Sequence, residues 1–540
     1  MVATQLTPRE YVGQATPKVL RLPDELLLSI FELAIAHRQS HRRELVPILR
    51  LTCRRFRDIS SHLLLDRTTV DISRPETIDR FRGIAQNPSI ACGVRSVYLR
   101  LHFYHPTAAQ SIGNFARAIR AEWEERLLGS WGNNASSQED QLNIDDIMGP
   151  FWKELDNMIN STGIENCNMG QFEDTTTTLA LREAYALYKA RFDSQSLMPQ
   201  GKQFAEFFAE AFASMVNVSS LTIFDGDIDN NHAPGAKVKA KAGDREAHHR
   251  ALVEVLSRPM LWEDVRQTFP HPMLLQDINW VGPPQQSWSL TPLGLLIDIP
   301  TAIGKRQGVR LDYLSIHLTA APDYTLLIKE PESLRQLSTS IQSMDLFQFQ
   351  FKPCTHRSVD LEDGSTTLAR TGEEMRALNQ YLGAIMSGGS IAYADINLGE
   401  FWYSLGVSSV FNAPASLGVD FHWPRKSKLQ SILLVEVVLT VAQLQELASS
   451  LNEGSEFRMH MVRLTGNDTW REALDVLRLR LIRPQSVSIK FPLVDDFSGW
   501  NRDAWKHAFH EDPEAKSSGY SRADRFVAGD DIPNPLASVL

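Results

Sequence analysis

Residues 19–37, VLRLPDELLLSIFELAIAH, and residues 44–65, ELVPILRLTCRRFRDISSHLLL, carry the most readable signal in the chain. Pro23 sits where a helix begins, because a first-turn proline gives up no needed hydrogen bond. Asp24 and Glu25 follow at the positive end of the helix dipole. Leu26, Ile30 and Leu33 then fall at i, i+4 and i+7, and Leu27, Phe31 and Ala34 repeat the spacing one residue on. The helix is therefore apolar over a wide arc. A polar connector, HRQSHRR at 37–43, leads to a second helical pattern in which Leu49, Cys53, Phe56 and Leu63 lie near one face among arginines. Two or three short helices cannot bury all of that apolar surface against one another, so the unit calls for a partner.

The combination Leu22-Pro23-Asp24-Glu25-Leu26-Leu27, then Ile30-Phe31, then Leu51-Thr52-Cys53-Arg54-Arg55-Phe56-Arg57, in that order, resembles the F-box motif. The resemblance covers about a tenth of the chain. It implies docking to the Skp-type adaptor, and through it the cullin, of a ubiquitin ligase, with the remainder of the chain recruiting a target protein. Carried over residue by residue, the adaptor-binding set is Leu22, Pro23, Leu26, Ile30, Phe31, Leu51, Cys53 and Phe56. Of these, Leu22, Pro23 and Ile30 are expected to face the partner, while Phe56, with Leu63, is expected to pack inside the module.

Bulk properties narrow the alternatives. A chain of 540 residues exceeds the size at which one core keeps growing. A formal net charge of −10 argues against a nucleic-acid surface, which carries a basic excess. Lys237, Lys239 and Lys241 form the densest basic run and read as a solvated loop. Four scattered cysteines (Cys53, Cys92, Cys167 and Cys354) make neither a disulfide framework nor a CxxC zinc site, and fit a reducing compartment. No apolar run reaches membrane-spanning length and the first residues lack a secretory signal. The expected location is the cytoplasm, the nucleus or both.

Downstream, helical stretches precede short apolar strands. The predicted strands are 94–101, 220–224, 311–318, 341–349, 391–398, 429–439, 457–464 and 487–491, several with the alternation of half-buried strands. Helices are predicted over 77–86, 204–215, 332–340, 373–385, 441–451 and 469–481. The recurrence gives an α/β fold class: an N-terminal helical F-box-like module at 19–70, then an irregular leucine-rich-repeat-like helix–strand solenoid at 71–510. The strict leucine-rich consensus with its Asn or Cys ladder is absent, and a mixed α/β domain with a closed sheet is the alternative. A helical insertion is predicted near 123–203, including ALREAYALYKARF at 180–192. Residues 1–18 and the charged, Ser- and Pro-containing 511–540 read as flexible ends.

No catalytic constellation stands out, so no enzyme activity, cofactor or metal is predicted. Ser-x-x-Lys, HExxH, GxSxG and the P-loop are missing. Asp225-Gly226-Asp227-Ile228-Asp229 lacks the spacing and closing Glu of a calcium loop and reads as a polar turn. His248-His249 has no acidic or cysteine partner at ligand spacing and reads as an exposed helix start. Adjacent Asp495-Asp496 do not share a helix face. Gly388-Gly389-Ser390 lies between helix and strand, the reverse of a phosphate cradle. The tryptophans gather in the second half, and the aromatic, Pro/Gly-punctuated segment 399–423 is the candidate target-recognition loop, with Trp402, Tyr403 and Trp423 as anchors. Three functions therefore compete: a ubiquitin-ligase substrate receptor, a ubiquitin-independent interaction scaffold, and an α/β enzyme with a helical cap.

Overall fold

The computed structural model describes residues 18–37, 42–116, 118–119, 176–196, 201–225, 245–259, 292–319, 323–328, 330–351, 372–388, 390–398, 428–464, 469–492, 502–510 and 520–537. The chain opens with helices α1 (Asp24–His37), α2 (Arg42–Thr52) and α3 (Arg54–Ser60). Strand β1 (Arg67–Asp71) and helices α4 (Pro75–Ala85) and α5 (Pro88–Ala91) lead to β2 (Ser96–Arg100). After β2 come α6 (Pro106–Gln110), α7 (Thr176–Ser196) and α8 (Lys202–Ala213), then β3 (Ser220–Phe224). Next are α9 (Arg245–Leu256), α10 (Leu295–Gly304), β4 (Tyr313–Leu318), α11 (Pro331–Ser340), β5 (Leu346–Phe351), α12 (Gly372–Met386) and β6 (Tyr393–Asn397). The last part comprises β7 (Ser431–Val435), β8 (Val438–Leu439), α13 (Val441–Ser450), β9 (Glu456–His460), β10 (Arg463–Leu464), α14 (Trp470–Arg480), β11 (Ser486–Lys490), α15 (Arg502–Phe509) and α16 (Arg522–Ala528).

Among the described residues, nine strands form one parallel sheet in the order β1-β2-β3-β4-β5-β6-β7-β9-β11, so each new strand is added at the same edge. The short β8 and β10 pair separately. The register aligns two apolar rungs across the sheet. One runs Val97, Leu221, Leu314, Phe347, Ala394, Ile432, Phe457, Val487, and the other Leu99, Ile223, Ile316, Phe349, Ile396, Leu434, Met459, Ile489. All of these side chains are buried. They share one core with helix residues such as Phe81, Phe208, Leu296, Leu337, Leu382, Leu444 and Leu474. The helices follow the strand order: α8 packs on α10, α10 on α11, α11 on α12, and α13 on α14. Parallel pairing demands such crossovers, and burial of one strand face against them explains the alternation read in the sequence.

The last units share local chemistry. Thr440, Thr469 and Ser521 each close a capping box at the start of α13, α14 and α16, satisfying backbone donors reciprocally. Strands β7, β9 and β11 each run directly into a left-handed non-glycine residue: Glu436 (φ 53°), Met461 (φ 53°) and Phe491 (φ 51°). Each costs about 1–2 kcal/mol of backbone strain.

Both sheet edges are covered. At the β1 edge, Arg80 donates to the Thr69 carbonyl and Thr77 Oγ1 accepts from Asp71 N at 2.9 Å. At the β11 edge, Asp524 Oδ1 accepts from Ile489 N at 2.6 Å, with α16 packed alongside. Such covering removes the unpaired row that invites strand addition.

The predicted strands form close to their expected positions, but left-handed Glu436 breaks 429–439 into β7 and β8, left-handed Met461 breaks 457–464 into β9 and β10, and β5 begins at Leu346 rather than Ile341. The sequence reading missed β1, α5, α6, α10, α15 and α16, and of α9 it anticipated only a helix start at His248-His249. The expected flexible tail is corrected in part: residues 520–537 hold α16, and Ala523, Phe526, Val527 and Leu536 are buried in the main core. Most of the expected helical insertion lies outside the described residues; within it, α7 is helical as predicted.

Candidate functional site

The N-terminal helices build a small core of their own. Leu27, Phe31 and Phe56 are buried, with Leu20, Leu22, Leu49, Cys53, Ile59 and Leu63 packed against them. The Phe31 and Phe56 rings meet edge to face at 5.0 Å between centroids, a preferred aromatic geometry. Arg55 on α3 ties the entry of α1 to this core: its guanidinium donates to the carbonyls of Leu20 and Leu22 and to the Asp24 carboxylate at 2.8 Å. Leu22-Pro23 is thereby fixed as the turn into α1.

With the buried face of α1 defined by Leu27, Phe31 and Ile35, a second apolar row on the same helix points to water. Leu26, Ile30 and Leu33 are 52%, 47% and 70% exposed. On α2, Ile48 and Leu51 are 61% and 87% exposed. These large apolar side chains repeat along one helix face and stand in water instead of in the module's core.

The predicted adaptor set therefore divides. Pro23, Leu26, Ile30 and Leu51 are exposed, and Leu22 is half-buried. Phe31 and Phe56 are committed to the module's own core. Cys53 is the N-cap of α3, its Sγ accepting from Phe56 N at 3.5 Å. Leu33 and Ile48 join the exposed face without having been singled out for it; the i+7 position of Leu33 was the available signal. Trp402, Tyr403 and Trp423 lie outside the described residues. Trp470 is buried against Phe509, so this tryptophan is core.

The module is joined closely to the sheet domain. A Cβ at Gly93 would stand 1.8 Å from the His62 carbonyl oxygen. Asp66 O accepts from Arg95 N and Ser96 N, carrying the chain from the module into the sheet.

The polar face of the sheet offers the second surface. Tyr313 and Ser315 hydroxyls donate to Gln348 Oε1 at 3.0 and 2.9 Å, and Gln348 Nε2 donates to Asp395 Oδ2 at 2.9 Å. Gln350 Nε2 adds a longer bond to the same oxygen. Burial raises the Asp395 pKa despite these donors. Ser315 is buried, with its hydroxyl 2.7 Å from His317 Nε2 and 2.9 Å from Gln348 Oε1.

Beyond the strand ends, His102 and His105 are buried and held neutral, chiefly by desolvation; His105 falls to about 3. Asp225 is buried and accepts from Thr319 N at 2.7 Å, while the rest of the run read as a polar turn, 226–229, lies outside the described residues. His249 does find an acidic partner, Glu183 Oε2 at 2.8 Å, because α9 packs on α7. The Lys237–Lys241 run and Asp495-Asp496 lie outside the described residues. Among the described residues no cluster of His, Cys, Asp and Glu is placed to hold a metal, and no helix is long and apolar enough to cross a membrane.

No protein-family model matches this chain, and no curated protein matches it.

Proposed function

We propose that this protein is the substrate-recognition subunit of a Skp–cullin–F-box type ubiquitin ligase. The N-terminal module docks the Skp-type adaptor, and the sheet domain, a leucine-rich-repeat-like solenoid of irregular units, holds the target. The observation that carries the reading is the row Leu26, Ile30 and Leu33, exposed on a module whose core is already complete with Leu27, Phe31 and Phe56. Removing such side chains from water contributes about 1.5–3 kcal/mol each, enough for several together to exceed the cost of association. Sequential addition of parallel strands at one edge supports the solenoid reading. The protein acts without chemistry of its own, in the cytoplasm or nucleus, by raising the effective concentration of target at the ligase.

Against the enzyme alternative stands the strand order. Open α/β sheets place their ligands where the order reverses, and these strands never reverse.

The test is co-precipitation of the full chain with a purified Skp-type adaptor, beside the double variant Leu26→Asp/Ile30→Asp. Recovery of the parent chain, with at least a tenfold loss in the variant, is expected. Equal recovery of both overturns the reading. Absence of adaptor from both favours the ubiquitin-independent scaffold.

A further inference from the structure

Ser29 sits in the middle of α1, exposed, at the border between two kinds of surface. Residues three and four apart are neighbours on a helix. On one side of Ser29 these are Leu26 and Leu33, two members of the exposed apolar row, with Ile30 next in the chain. On the other side they are Glu25 and Glu32, both exposed. The Ser29 hydroxyl donates to the Glu25 carbonyl at 3.0 Å, so its hydrogen is satisfied within the helix and makes no demand on a partner.

No lysine or arginine lies on α1, whereas Asp24, Glu25 and Glu32 do. A hydroxyl in acidic surroundings suits a protein kinase whose substrate groove is basic. Kinases take the accepting residue in an extended segment, so Ser29 is reached when α1 opens. The helix is anchored through a small core, Leu27 and Phe31 against Phe56, and local opening of such an element costs much less than unfolding of the chain.

We propose that Ser29 is a phosphorylation site and that its phosphate switches off docking of the adaptor, an inference that rests on the docking reading given above. The γ-phosphoryl group passes from ATP to the Ser29 oxygen, the hydroxyl proton goes to the kinase's base, and ADP leaves. The product carries a charge of about −1.5 to −2 at neutral pH. It stands against Leu26 and Leu33, where a partner has to strip water from it to reach the apolar row, and beside Glu25 and Glu32, which repel it. No lysine or arginine on α1 is there to neutralise it. A face that binds when neutral thus refuses contact when charged.

To test it, the folded full chain is treated with Mg-ATP and an acid-directed serine kinase, the modified residues are mapped by mass spectrometry, and binding to a purified Skp-type adaptor is measured. Phosphate is expected on Ser29, with binding weakened by on the order of tenfold or more and restored by a phosphatase. Ser29→Ala should bind like the parent before and after kinase treatment. Ser29→Asn, polar and uncharged, separates charge from bulk: it should stay within about threefold of the parent. Absence of phosphate from Ser29, undiminished binding by the phosphorylated chain, or a loss in Ser29→Asn as large as that caused by phosphate overturns the switch while leaving docking intact. Absence of binding by the untreated parent overturns the docking reading, and the switch falls with it.

Discussion

The Arg55 guanidinium donates to the Asp24 carboxylate at 2.8 Å while also holding the Leu20 and Leu22 carbonyls. The ion pair is largely solvent-exposed and contributes little alone. The bonds to two carbonyls separated by one residue need a planar fork, which lysine does not have. Arg55→Lys should therefore behave much like Arg55→Ala. Each should cost about 1.5–3 kcal/mol of module stability, the range for bonds to a charged donor. Hydrogen exchange of α1 amides would show the loosening; full protection in Arg55→Lys would contradict it.

Neighbouring residues on α1 should respond in opposite ways. Phe31→Ala removes half of an edge-to-face pair in a small core and should cost about 3–5 kcal/mol. Ile30→Ala removes an exposed side chain and should change stability by at most about 0.5 kcal/mol. Urea unfolding of the two variants distinguishes them, and adaptor binding should fall for Ile30→Ala despite its intact fold.

Asp524 guards the far edge of the sheet. It accepts from Ile489 N on β11 and from Ser521 N at the start of α16. Asp524→Ala leaves buried donors without acceptors, at about 1–3 kcal/mol each. It should also release α16 and promote strand-to-strand association. Light scattering during mild heating should register aggregation at a lower temperature than in the parent chain.

Acid should destabilise the fold through its buried histidines. The folded-state pKa of His105 falls to about 3, and that of His102 lies well below its ordinary value of 6.5. The unfolded chain therefore takes up protons that the folded chain refuses. The stability contribution is fully present above pH 6.5 and declines as pH falls toward the folded values, by up to about 1.4 kcal/mol per pH unit for each histidine. The raised carboxyls of Asp71 and Asp524 act in the opposite sense, because the fold binds their protons more readily. The histidine contribution begins to be lost as pH falls below 6.5. His105→Asn, which can keep an acceptor for Thr107 N, should flatten the urea midpoint below that pH.

The strands were legible wherever two apolar residues alternated inside a short run bounded by polar ones. Val97 with Leu99 and Val487 with Ile489 are such cases, and their rungs line the core. Strand β1, RTTVD, was not: its rung positions are Thr68 and Val70, and threonine buried in a core reads as polar in a sequence. Helix α10 hid behind Pro300, which sits inside a helix buried on nearly every side. Helix α16 hid behind its composition, since its burial depends on packing against β11 and α14 rather than on local apolar content. For the exposed face of α1, spacing identified Leu26 and Ile30 but not which of two interleaved apolar rows would turn inward. That choice was made by Phe56, arriving from another helix.

Gly93 leaves no room between the first sheet unit and His62. A side chain there would collide with the His62 backbone, so the helical module and the first sheet unit touch main chain to main chain, and any residue larger than glycine at position 93 would have to prise that seam apart.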